Sequence, residues 1–424
     1  MTTAFDVHAV RSEFPVLAQL VNGHPLAYLD SGATSQKPRS VLEAQFGYLN
    51  SANSAVHRGA HTLAAEATNR FEDARETVAT AIGARAEEVV WTAGATAGLN
   101  ILANSFGLAS LGRGGEAARR FALQPGDRIV LTEAEHHANL IPWQELAART
   151  GAELVHVRVD DSGVLDLDHA RTLIHGRTRI VAFSHVSNVL GIVNPVRDIT
   201  AMAHEQGAFV VLDACQSAPH IELTLGDLGV DFAVFSSHKL YGPDGIGVLF
   251  GKTELLNALP ASNFGGSMIS HVTLTEASYL EAPQRFEAGT QPISAAIATA
   301  AAFDWMKSIG HAAISAHEAT LEAHLRERLE GIPGLRLLGN AAGVARVPLL
   351  SFEVLGVHAH DVGQFLDAYG IAVRVGHHCA APLHARFGMT ASVRASAAAY
   401  TTVEEIDRLA DALAHVRGFF GVES

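Results

Sequence analysis

Only four lysines, Lys37, Lys239, Lys252 and Lys307, occur in this 424-residue chain. Chemistry that needs a buried amine for a Schiff base therefore has few candidates, and Lys239 is the best placed. It ends the run DFAVFSSHK (231–239), and a turn carrying Gly242, Pro243, Gly245 and Gly247 follows it. Lys37 directly precedes Pro38, Lys252 follows the next strand beyond that turn, and Lys307 lies in a helical stretch. Upstream, Asp213 closes the apolar run AFVVLDA (208–214), where a carboxylate is costly unless it is paired. A protonated pyridine-type ring nitrogen is one such partner, and the pair makes an electron sink; an Asp capping the following turn is the other reading. The segment GATAGLN (94–100) follows a strand and opens a helix, which suits a phosphate. An ordinary strand-to-helix turn fits the same residues. Taken together, Lys239, Asp213 and this turn describe a site for a phosphorylated aromatic aldehyde, with Ser236 and His238 as phosphate ligands.

The two cysteines, Cys215 and Cys379, are far apart and lack C-x-x-C spacing, so neither a disulfide framework nor a zinc knuckle is expected. Cys379 follows Arg374, His377 and His378, whose positive charge would favour the reactive thiolate. Cys215 sits in a packed strand-end turn and reads as a small buried hydrophobe. Among 23 histidines, the adjacent His136 and His137 invite a metal reading, but neighbours on an extended strand point to opposite faces. A single ring stacking on a cofactor fits better, and no metal-ligand set is evident.

The elements that must carry these residues are legible from 88 to 250. The runs EVVWTAG, RIVLTEA, AELVHVRVD, RIVAFSHV, AFVVLDA and DFAVFSSHK alternate with helix-like segments, the signature of βαβ units around a mostly parallel sheet. Gly94, Thr96, His136, Asn188, Asp213 and Lys239 all fall at or just after predicted strand ends, where such folds place their chemistry. Residues 294–330 read as Ala-rich helix, 335–424 as a smaller α+β unit, and 107–127 as a surface insertion with a partly mobile tip. The division expected is a large domain over 25–305 and a small one over 306–424, with 1–24 packing on the latter. The net charge of −14 disfavours nucleic acid and anionic membrane as partners. No basic-then-apolar leader opens the chain and no apolar run approaches a membrane span, so a cytoplasmic protein is expected.

EHHANLIPW (135–143), HVSNVLG (185–191), SSHKLYGPDGIGVLF (236–250), FGGSMI (264–269), RFEAGT (285–290) and RVGHHCAAPL (374–383) resemble, in order and spacing, the SufS-like group II cysteine desulfurases. These belong to the class V aminotransferase superfamily of fold type I pyridoxal-phosphate enzymes. The likeness runs from YLDSGATSQKP (28–38) to the C-terminal helix. It implies an α/β fold with a seven-stranded, mostly parallel sheet and a smaller α+β domain. It also implies that Lys239 carries pyridoxal 5'-phosphate, Asp213 pairs with its ring nitrogen, Gln216 meets the ring hydroxyl and His136 stacks on the ring. Thr96, Ser236 and His238 would hold the phosphate, joined by Thr290 from the other subunit of a homodimer. Asn188 and Arg394, with Arg374 nearby, would bind the carboxylate of L-cysteine, and Cys379 would take its sulfur as a persulfide, leaving alanine. A sulfur acceptor of SufU or SufE type, serving iron–sulfur cluster assembly, follows from the same likeness. GVHAHDVG (356–363) resembles relatives that work with SufU, making His360 a zinc-exchange ligand; His360 and Asp361 capping a helix is the other reading.

The chain departs from this pattern where relatives carry G-T-T-E-G-I-N: here Ala95 and Ala97 replace a hydroxyl and a carboxylate. Ala93 stands where a polar or basic residue is common, and Gln291-Pro292 stands for Pro-Asn. Selenocysteine lyase and cysteine sulfinate desulfinase share the cofactor machinery and are the rival activities. A true aminotransferase and a catalytically silent scaffold for cluster assembly are more distant rivals.

Overall fold

The computed structural model describes residues 5–422, so residues 1–4 of the N-terminal segment lie outside the described residues. Seven strands form the principal sheet: β1 (Val89–Thr92), β2 (Arg128–Thr132), β3 (Glu153–Val157), β4 (Thr178–Ser184), β5 (Phe209–Asp213), β6 (Phe232–Ser236) and β7 (Gly247–Gly251). Their order is β1-β7-β6-β5-β4-β2-β3, and only β7 runs against its neighbours. β5 and β6 are buried at every position, which is why FVVLD and FAVFS read as continuous apolar runs rather than alternating ones. The other six strands end on one edge of the sheet. Two large apolar clusters cover its faces.

A second sheet holds β10 (Leu335–Leu337), β11 (Leu349–Val354), β12 (Arg374–Gly376) and β13 (Ser392–Ser396), all antiparallel in the order β10-β11-β13-β12. An exposed hairpin of β8 (Ile269–Val272) and β9 (Ala277–Tyr279) stands apart from both sheets. The helices that matter below are α1 (Thr62–Ala81), α2 (Ala95–Ser110), α3 (Ile293–Ile309), α4 (His311–Glu330), α5 (Ala359–Asp367) and α6 (Val403–Phe419). Residues 27–28 pair in parallel with 371–372, and Asp30 bridges to Ser396, so the N-terminal segment is stitched into the second sheet. Arg11 adds an ion pair to Glu405 at 2.9 Å, inside the Thr402 capping box of α6.

Two expectations are corrected. The stretch 294–330 is two helices, broken at Gly310, whose φ of 92° no other residue adopts comfortably. Segment 107–127 is only briefly an insertion: 107–110 complete α2, and 115–121 form helical turns. Its Phe121 is fully buried against Phe106 and Phe209, leaving 111–117 exposed. Among the described residues no helix is long and apolar enough to cross a membrane.

Candidate active site

The shared strand edge and the second sheet enclose a cavity of about 310 Å³ lined by Thr96, His136, Asn188, Asp213, Gln216, Ser236, His238, Lys239, Arg374, Cys379 and Arg394. Eleven of the twelve site residues expected from sequence thus come together. Thr290 is exposed on this chain and lines a separate depression beside Trp91 and Ala97.

The cavity floor follows from the strand ends. Gly94 caps α2 with φ 141°, a conformation that needs glycine, and Ser236 Oγ accepts from the Ala95 N–H at 2.8 Å. A Cβ on Gly247 would meet the Gly94 Cα at 2.7 Å, so two glycines let β7 pass behind this turn. The remaining first-turn N–H groups of α2 supply the positive end on which an anion sits. Asp213 is buried at the end of β5, and its Oδ1 accepts from the Cys215 N–H at 2.9 Å. Gln216 donates Nε2–H to the Gly32 carbonyl at 2.7 Å, leaving Oε1 buried without a partner among the described residues.

His136 does not lie on an extended strand. It caps a 3₁₀ turn over His137–Asn139, accepting from the Ala138 N–H at 3.0 Å, so the opposite-faces argument against a His136–His137 pair does not apply. Burial pushes the His136 imidazole down to about 4, the Lys239 cation adding to this and Asp213 opposing it, so a neutral ring faces the cavity. The preceding Glu135 escaped the sequence reading. It is fully buried and accepts from Thr132 Oγ1 at 2.5 Å, Asn139 Nδ2 at 2.7 Å and the Ser184 N–H at 3.2 Å, locking the turn that presents His136. Burial raises its carboxyl to about 8 against the pull of those hydrogen bonds. Its signal was an acid three residues after Thr132, inside the EHHANL run.

Lys239 closes a 3₁₀ turn whose His238 carbonyl accepts from the Ser35 N–H at 2.9 Å and from the hydroxyls of Thr34 and Ser35 at 3.1 Å each. The segment Thr34–Lys37 therefore clamps the lysine turn. Lys37 is engaged there, donating to the Ser35 carbonyl at 2.6 Å, and Lys252 pairs with Asp231 at 2.7 Å. Burial pushes His238 down to about 4, with Lys239 and Lys37 adding, so its ring is neutral and would donate to an anion as N–H.

The opposite wall comes from β12 and β13. Arg394 donates to the Asn188 carbonyl at 2.9 Å, and Asn188 donates Nδ2–H to the His378 carbonyl at 2.6 Å. His378 and Cys379 both take positive φ, 49° and 55°, in a turn pinned by the His137 N–H to the Cys379 carbonyl at 2.6 Å. That turn leaves the free Cys379 thiol exposed at the cavity, whereas Cys215 is buried and its thiol is pushed up to about 12 by burial with Asp213 adding. The expected positive charge from His378 is corrected. Burial, then Arg394, pushes it down to about 2, which leaves Arg394, itself lowered to about 10 by burial, and Arg374 as the guanidinium groups lining the cavity with Cys379.

The residues fit pyridoxal phosphate. Gln216 Oε1, Ser184 Oγ, His378 Nδ1 and Arg394 Nε are buried without partners among the described residues, and all four side chains line this cavity. An acceptor for a ring hydroxyl, a carboxylate for a ring N–H and a helix N-terminus for a phosphate stand around one amine. Residues 27–409 match the aminotransferase class-V family. A probable cysteine desulfurase 2 of Mycobacterium leprae is 50% identical over 99% of both chains. A cysteine desulfurase of Cronobacter sakazakii is 45% identical over 99% of this chain and 100% of its own. The Escherichia coli cysteine desulfurase CsdA superposes with a TM-score of 0.86 at 36% identity, over 98% of this chain and 100% of its own. The apo cysteine desulfurase of Thermococcus onnurineus gives a TM-score of 0.90 at 36% identity, over 99% and 100%. With its fold, its cavity and its full-length relatives in agreement, this chain belongs to the class-V aminotransferase family.

Proposed function

We propose that the protein is a cysteine desulfurase that moves sulfur from L-cysteine onto Cys379 and releases L-alanine. The family depends on pyridoxal phosphate, which when bound supplies an electron sink at the substrate α carbon. Lys239 holds that cofactor and moves protons at the α and β carbons. Asp213 keeps the ring nitrogen protonated, Gln216 accepts from the ring hydroxyl, and His136 covers the ring face. Thr96, Ser236 and His238 take the phosphate. Asn188, Arg394 and Arg374 orient the substrate by its carboxylate. The Cys379 thiolate attacks the substrate sulfur: the S–S bond forms, the Cβ–S bond breaks, and the electron pair left on Cβ takes a proton delivered by Lys239.

One observation carries this reading: an exposed, unpaired thiol on a strained turn shares a cavity with the lysine and the aspartate. The strain is of the kind stored at reacting positions. With L-cysteine, wild-type protein and Cys215→Ser should release alanine and carry a trappable persulfide on Cys379. Cys379→Ser should do neither. Persulfide on Cys215, or undiminished alanine from Cys379→Ser, would overturn the choice of nucleophile.

The finer reading is of a SufS-like enzyme working as a cytoplasmic homodimer with an acceptor of SufU or SufE type in iron–sulfur cluster assembly. Exposed Thr290 lies outside its own chain's cavity, as a residue serving the partner's phosphate would. His360 is exposed in the first turn of α5, and it does not cap that helix: His358 does, accepting from the His360 N–H. His360 is thus free to meet an acceptor's zinc. A two-domain division is supported by the separate apolar core that the second sheet builds with α4, α5 and α6, although Met306 and Ile314 still pack in the large core and Ala27 and Leu29 in the small one.

A further inference from the structure

Arg374 and Arg394 are direct partners across the β12–β13 ladder. Side chains so paired are about 5 Å apart at Cβ, and like charges there repel. Asp30 makes the arrangement tolerable. Its Oδ2 lies 2.9 Å from Arg374 Nη2 and its Oδ1 3.5 Å from Arg394 Nη2, with Arg374 Nε donating at 3.3 Å. Its position is fixed by the backbone bridge to Ser396 and by Gly32, where a Cβ would crowd the Arg394 guanidinium at 3.3 Å. One carboxylate therefore serves two guanidinium groups, and the trio carries a single net positive charge. Arg394 keeps its Nε–H buried and unpartnered among the described residues, on the cavity wall.

We propose that Asp30 is a specificity-determining residue, which sets the charge of the carboxylate site to match one substrate carboxylate and so selects an uncharged side chain over an anionic one. The inference rests on the reading that these arginines take the substrate carboxylate. L-Cysteine brings one negative charge to this wall. L-Cysteine sulfinate brings a second, on the side chain that points to Cys379, and Asp30 has already consumed the arginine charge that would meet it.

The test compares kcat/KM for L-cysteine and L-cysteine sulfinate in holoenzyme, alongside dissociation constants for the unreactive pair L-alanine and L-aspartate. Asp30→Asn frees one positive charge, and a unit charge at this range should raise the sulfinate-to-cysteine ratio about tenfold. The aspartate-to-alanine affinity ratio should rise in parallel, the gain should shrink with added salt, and Asp30→Glu should restore the wild-type ratios. Arg374→Gln, on a half-exposed residue that folding tolerates, should move both ratios the opposite way. Equal losses for both substrates in Asp30→Asn, with ratios unchanged, would mean that Asp30 only stitches the N-terminal segment to the sheet. Wild-type enzyme inert towards L-cysteine would instead sink the desulfurase reading, a result distinct from unchanged ratios in an active enzyme.

Discussion

Glu287→Gln should be among the most destabilising single changes outside the cavity. Arg75 and Glu287 form a two-pronged ion pair, Nη1–Oε1 at 2.6 Å and Nη2–Oε2 at 2.9 Å, with side-chain exposures of 1% and 2%. Glu287 Oε1 also accepts from the Trp91 N–H at 2.7 Å, and Arg75 donates to the Val89 carbonyl at 2.8 Å. The pair therefore ties α1, β1 and the segment leading to Thr290. Removing one partner of a buried pair costs about 3–5 kcal/mol, because the other charge is left uncompensated. Gln keeps the acceptor for Trp91, and Glu72 still reaches Arg75 Nε at 2.9 Å, so the lower figure, about 3 kcal/mol, applies. Against a total stability of about 5–15 kcal/mol that is a large fraction. Urea unfolding at fixed protein and cofactor concentration should show the loss, and release of pyridoxal phosphate should quicken if Thr290, three residues on, serves the partner's phosphate as proposed. In Arg75→Met/Glu287→Gln no buried charge remains, so the double change should cost less than the sum of the two singles. A cost below about 1 kcal/mol for Glu287→Gln, or simple additivity, would refute the reasoning.

Lys239→Ala should lose the cofactor's visible absorbance change with L-cysteine and all alanine release, since Lys37 and Lys252 are held by other partners; turnover at the wild-type rate would refute the assignment. The stability of the apoprotein should peak near pH 6.5. His136, His185 and His238 are lowered to about 4 and His378 to about 2, chiefly by burial, so the unfolded chain binds extra protons below about 6.5 and stability falls as pH drops. Glu135 acts in the opposite sense: raised to about 8, it gives stability that is complete below about 4.5 and lost as pH rises through 8. Urea midpoints across this range check the sign, and a midpoint that rises steadily from neutral into acid would contradict it.

Much of the large sheet was legible because its central strands, such as β5 and β6, are buried on both faces and read as unbroken apolar runs ended by a polar residue. Asp213 and Lys239 stood out for the same reason, as a carboxylate and an amine at the ends of such runs, although Asp213 also caps its turn through the Cys215 N–H. The break at Gly310 was not legible, since a single glycine inside an Ala-rich stretch is tolerated in helices and only its φ of 92° reveals the turn. Nor was the burial of Phe121, which depends on Phe106 and Phe209 arriving from elsewhere in the chain.

The residues that escaped are those whose meaning is a pairing. Glu135 is one acid among 44 acidic residues until Thr132, Asn139 and the Ser184 N–H converge on it. Arg75 and Glu287 stand 212 residues apart, and Asp30 and Arg374 stand 344 apart. The register that sets Arg374 opposite Arg394 is written in no local spacing, because β12 and β13 are joined through the Cys379 turn and a helix rather than a tight hairpin. The same connection that hid the register carries Cys379, the proposed nucleophile. A chain leaving Arg374 must cross the cavity mouth before it returns as Arg394, and Cys379 sits on that crossing, pinned to His137 on one side and through Asn188 to Arg394 on the other. On the proposed roles, substrate carboxylate and substrate sulfur would be gauged by one loop, so a change that moves the arginine pair should move the thiol as well.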